Sequence, residues 1–238
     1  MDSKNTIIGL IAILAVAGIA LISGCIGDGD KTIEEINKAG EHVNSGFDIL
    51  LTISYSQPSS EIKQKLDMAE NEHNIALSML NSVNPSNDYE RELINYNKKA
   101  INNNLFAISI NRQMVKDNEK LVFADSYVSL GQYDQAKTNL NLVKTGRENS
   151  KQEFIKLEDS VGDAKSFLSN SKDIPTEQKE KLLEAIIFKE KLVEKYIKNM
   201  DELIKFIDGY LLYVEGLEYW ENSVEYDQTE EWEKCLVE

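Results

Sequence analysis

Prolines stand at only three positions, Pro58, Pro85 and Pro175, and in the long stretches between them apolar residues recur at spacings of three and four. That period belongs to one face of an α-helix, whose interior does not tolerate proline. Helix 1 starts at the capping box Thr32-Ile33-Glu34-Glu35, carries the stripe Ile33, Ile36, Gly40, Val43, Phe47, Leu50, Ser54, and stops before Pro58. Helix 2 carries Ile62, Leu66, Ala69, His73, Ala76, Leu80 and Val83 and stops before Pro85. Residues at one level of an antiparallel hairpin have numbers that sum to a constant. From Ile33 with Val83 to Ser54 with Ile62, each stripe residue of helix 1 has a partner on helix 2 at a sum of 116, centred on Pro58. The two helices are expected to form a packed αα-hairpin over 32–83.

A second hairpin is expected over 87–171. Helix 3 begins near Asn87 and meets no breaker until Gly131, a length of about 40 residues or ~60 Å. Helix 4 alternates spacings of three and four from Tyr133 to Leu168, as a coiled-coil seam does. Val122 with Leu140, Val115 with Arg147, Ile108 with Phe154, Ile101 with Val161 and Ile94 with Leu168 all sum to 262, centred on Gly131. A long helix follows over 175–226; Lys189 and Glu221 interrupt its apolar seam, and Gly209 and Gly216 are places where it can bend. The fold class is therefore all-α, an elongated bundle of long antiparallel helical hairpins plus a long C-terminal helix. It is preceded by an N-terminal hydrophobic segment. Around the second turn, Ala124, Tyr127, Gly131, Tyr133, Ala136 and Leu140 resemble the core of one tetratricopeptide repeat. The likeness spans about 25 residues and recurs nowhere else, so it reads as a tight helical turn rather than a repeat array.

The N-terminus sets the address. Ile7–Ile22 is an unbroken run of 16 apolar or small residues, the length of a signal-peptide core and short for a membrane span of about 20 residues. It leads directly into Ile22-Ser23-Gly24-Cys25, which resembles the lipobox of prokaryotic (archaeal or bacterial) lipoproteins. The resemblance implies a signal peptide over 1–24, cleavage before Cys25, a lipid on the Cys25 thiol, a flexible linker over 25–31 and an extracytoplasmic domain over 32–238 facing away from the cell membrane. The alternative is an uncleaved single-pass anchor, with Cys25 at the outer edge of the span. Either way the domain is tethered. With lipid on Cys25, Cys235 stays free or pairs with another molecule; with Cys25 free, a Cys25–Cys235 disulfide becomes possible in an oxidising compartment.

Charge narrows the partners. The net charge of -15 falls wholly on the part after residue 24, since Asp2 and Lys4 cancel within 1–24. An acidic surface disfavours nucleic acid and anionic lipid headgroups. No nucleophile is set in a motif, no phosphate loop occurs, and no cofactor is expected.

Two constellations bear on a binding site. The histidines His42 and His73 each follow a glutamate, Glu41 and Glu72, and their numbers place them at nearly one level of the first hairpin. They are weak candidates for a divalent metal, since no helical spacing links the ligands; a hydrogen-bonded His73 and an exposed His42 are expected instead. Asn97, Asn104, Asn111 and Asn118 recur every seven residues on helix 3. Three readings of this column stand: a polar ladder fixing register, with Asn111 meeting Ser150 and Asn118 near Arg147; a groove for a polar ligand or peptide; or an abundant residue twisting toward solvent. The sequence thus points to a membrane-anchored scaffold or docking domain for another envelope protein, not an enzyme. A small-molecule or metal-binding receptor domain is the alternative.

Overall fold

A computed structural model describes residues 31–54 and 57–235, with side chains placed up to residue 224. The segments expected to be signal peptide and lipobox, Cys25 and the expected linker up to residue 30 lie outside the described residues. Five helices pack as a bundle: α1 (Lys31–Leu51), α2 (Ser59–Ser82), α3 (Asp88–Ser129), α4 (Tyr133–Asn170) and α5 (Thr176–Cys235). Among the described residues there is no strand, and no helix long and apolar enough to cross a membrane.

Local chemistry sets each break. Pro58 precedes α2 with φ at −57°, the value its ring imposes. At the start of α3 the Asn87 side chain accepts from the Glu90 amide at 2.9 Å, and the Glu90 carboxylate accepts from the Ser86 amide at 2.6 Å. Orphan donors are thus satisfied from both sides. The turn after α3 is a Schellman motif: Gln132 N–H donates to Tyr127 O at 2.9 Å and Gly131 N–H to Val128 O at 3.1 Å. Gly131 takes φ of +68°, which a residue with a Cβ adopts only at a cost. Between α4 and α5, Glu92 of α3 accepts from the Ser171 hydroxyl and from Asp173 N–H at 3.0 Å. The Ser171 bond first, and the loop amides after it, hold the Glu92 carboxyl below its ordinary pKa.

The element order places α3 at the centre. The α1–α2 hairpin covers it from its start to about Glu119, where Lys63 pairs at 2.7 Å, and α4 runs antiparallel along it. α5 runs antiparallel to α4, marked by Lys165–Glu190, Lys151–Asp201, Lys144–Asp208 and Lys137–Glu218 ion pairs of 2.6 to 2.8 Å. It runs parallel to α3, touching it at Tyr89–Gln178, Asn104–Lys189 and Asp125–Tyr210. Exposed ion pairs add little to stability; their value is in fixing one alignment. Three apolar clusters form the core, and in the middle one Phe154 stacks on Tyr196 with ring centres 5.6 Å apart.

Several expectations need correction. Ser54 is not in the first seam, because α1 ends at Leu51 and Ile53 turns inward instead. Phe47 is only partly buried, whereas Gly46 is fully inside, under the His73 ring. Val122 is 59 % exposed, because Leu121 and Ala124 take the inner positions as α3 twists away from a strict seven-residue repeat. α5 is helical through Gly209 and Gly216 and continues to Cys235, past the 226 expected.

Candidate functional site

The central feature is a chain of polar side chains that joins three helices inside the core. His73 of α2, Asn104 of α3 and Lys189 of α5 are all buried. His73 Nδ1 lies 2.7 Å from Ala69 O, one turn back on its own helix. Only a protonated Nδ1 can donate there, so in the neutral ring Nε2 is the acceptor. The Asn104 amide nitrogen donates to that Nε2 across 3.0 Å. This orients the Asn104 carbonyl toward α5, where Lys189 Nζ donates to it at 2.9 Å. Every polarity in the chain agrees with a neutral imidazole. Burial, the largest influence, lowers the His73 pKa, and burial drives Lys189 down to about 7.

A second buried group sits further along α3. Asp117 is wholly buried and accepts from Gln113 at 2.9 Å. Arg147 of α4 reaches the Asn118 side-chain oxygen and, at 3.4 Å, the Met114 carbonyl. Burial raises the Asp117 pKa while Arg147 opposes it. Burial lowers that of Arg147, from a value so high that the guanidinium stays charged. Both groups depend on glycine. A Cβ on Gly46 would stand 2.6 Å from the His73 ring, and one on Gly146 2.4 Å from the Asp117 carboxylate.

The structure therefore divides the asparagine column. Asn97, Asn104 and Asn111 are buried and Asn118 is half-buried, so the column faces inward rather than to solvent. Asn104 links α2 to α5 and Asn118 meets Arg147. The expected pairing of Asn111 with Ser150 is not formed: Asn111 donates back to Ala107 O at 2.8 Å, and the buried Ser150 hydroxyl has no hydrogen-bond partner. Neither polar atom of the Asn97 side chain has one. Asn103, outside the column, makes the cross-helix contact instead, exchanging hydrogen bonds with Ser160 of α4.

The histidines are not brought to a common site. His42 Nδ1 pairs with Glu72 at 2.7 Å near the surface, while His73 points inward to Asn104. Glu41 lines a separate depression of about 580 Å³, open to solvent between α1 and α2. Among the described residues no group of three or more His, Cys, Asp or Glu is gathered to hold a metal. Beside Lys189, Tyr96 and Asn103 there is a cavity with water-accessible space of about 10 Å³, enough for a single water.

Sequence reasoning missed Lys189, Asp117 and the two supporting glycines. Lys189 did leave a trace, a lone cation in an apolar seam.

Large apolar side chains are exposed mainly at the other end of the molecule. On the outer face of α5, Leu212, Tyr213, Tyr219 and Trp220 are 57 to 76 % exposed. Residue 31 enters at the opposite end, where Ile36 packs with Leu80, Leu93 and Ile94.

Compared with models of known families, with curated proteins and with solved structures, the chain matches none.

Proposed function

We propose that the protein is an exported, membrane-tethered scaffold whose helical domain holds a docking face for a partner in the cell envelope away from the membrane. The observation that carries this reading is the distribution of polarity. Inside the bundle His73, Asn104 and Lys189 bond to one another across three helices, whereas the outer face of α5 leaves aromatic side chains in water. Soluble surfaces rarely keep such a patch without a partner. That face lies about 30 residues of helix from the entry of α1, or ~45 Å. A tether through Cys25 would thus present it away from the bilayer.

The tether is tested by Cys25→Ser in the full-length chain. Wild type should incorporate a lipid precursor, lose residues 1–24 and fractionate with membranes; the variant should accumulate as an unlabelled precursor. Labelling that persists in the variant overturns lipidation at Cys25. Unlabelled wild type that keeps its leader overturns cleavage in favour of the uncleaved anchor.

A further inference from the structure

The exposed face of α5 has a regular composition. Phe206, Gly209, Tyr213, Gly216, Trp220 and Ser223 follow one another at spacings of three and four, and all six are exposed. This is a coiled-coil seam turned to water, in which an aromatic residue alternates with a small one. It lies beside, not on, the inner face of the same helix, where Ile207 and Val214 are buried. A Cβ at Gly209 or Gly216 would meet no atom within 4 Å, so neither glycine serves the packing of its own chain. The two are open hollows between aromatic knobs.

Such a seam fits a copy of itself. When two α5 helices run antiparallel with residue numbers summing to 429, Tyr213 faces Gly216, Trp220 faces Gly209 and Phe206 faces Ser223 of the other copy. Every knob then meets a hollow, and the two-fold axis makes each contact occur twice. In the same register Leu212 lies two positions from the level of Tyr219 of the other copy and closes one flank with it. Their exposure leaves roughly 600 Å² of side chain per copy to bury, near the ~800 Å² of an ordinary stable interface. The register also accounts for the length of α5. Glu221 lies level with the α3–α4 turn at Gly131, so 222–235 run past the end of their own bundle. In the pair they lie alongside residues 194–207 of the other copy.

We propose that the docking partner is a second copy of this chain, paired tip to tip and antiparallel through the outer face of α5. This rests on the docking function proposed above and names its partner. The arrangement points the two N-terminal ends in opposite directions, roughly 100 Å apart by helix rise, as for copies presented from two facing surfaces.

The test uses the full-length chain in membranes, with Cys235→Ser and the same protein without added cysteine as background. Chains carrying Trp220→Cys mixed with chains carrying Gly209→Cys should give a disulfide-linked dimer on mild oxidation, several-fold above either chain alone, because in this register each of these positions lies roughly 16 Å from its own counterpart. Predominant same-residue linkage in Gly209→Cys alone means parallel pairing and overturns the proposal, as does linkage no higher than background. A companion variant, Gly209→Leu with Gly216→Leu, fills the hollows. It should raise thermal stability, because both sites are open and helical, yet abolish the dimer; a dimer that survives overturns the proposal. A photo-crosslink from position 213 to a different protein likewise overturns self-pairing while leaving the docking function standing.

Discussion

Asn104 on α3 accepts from Lys189 on α5 at 2.9 Å while its amide donates to His73 on α2. One side chain thereby ties the first hairpin to the last helix through the central one. Its effect on stability is conditional on protonation. Lys189 is driven from 10.5 down to about 7 by burial, so between those values the unfolded chain binds the proton more tightly than the folded one. Stability contributed by this site therefore rises with pH across that window, by up to ~1.4 kcal/mol per pH unit. His73, also lowered, adds the same sign at more acid pH: stability is lost as pH falls through its ordinary 6.5. Urea unfolding of wild type and Lys189→Met at pH 7 and 9 should show wild type gaining about 2 kcal/mol relative to the variant. Parallel behaviour would mean that Lys189 reaches water.

Two asparagines of one column should respond with opposite signs. Asn104→Leu removes the shared partner of a buried imidazole and a buried amine, and is expected to cost about 2 to 4 kcal/mol. Asn111→Leu removes a side chain whose oxygen has no partner and whose nitrogen bonds only to its own helix. It should be neutral or mildly stabilising, because no cross-helix acceptor is stranded. Equal losses in denaturant unfolding would show that Asn111 also has a partner across the bundle.

The glycines that shelter the polar groups give a third comparison. Gly46→Ala and Gly146→Ala force the His73 ring and the Asp117 carboxylate aside, at an expected ~1 to 3 kcal/mol each. At Gly162 an added Cβ meets nothing within 4 Å, and Gly162→Ala should gain up to about 1 kcal/mol from helix propensity alone. Melting temperatures of the three variants would separate the two effects; a stabilised Gly46→Ala would contradict the packing described.

Helix breaks and hairpin registers were legible because they follow local rules. Pro58, Asn87 and Gly131 act within a turn of where they stand, and a seam of threes and fours marks which face packs. What the pattern lacks is the identity of the neighbour. A seven-residue repeat puts Asn104 and Asn111 on the same face of α3 but does not say that one meets His73 and Lys189, 31 and 85 residues away. Nor does it say that the other folds back on Ala107. Gly46 replaced Phe47 in the seam for a similar reason, since the space over that backbone is taken by a ring from another helix. Gly209 and Gly216 read as bends because glycine weakens a helix; their placement between exposed aromatics emerged only once the buried face of α5 was known.

The central proposal is that the outer face of α5 is where the protein, tethered through its N-terminus, meets its partner. The most direct measurement places a photo-crosslinking residue at Tyr213, and separately at the exposed Asp163 of α4 as control, in the full-length protein in its own membranes. A discrete product from position 213, with none from position 163, is the predicted result, and self-pairing further predicts a product of twice the chain mass. No product from position 213, or equal products from both, would contradict it.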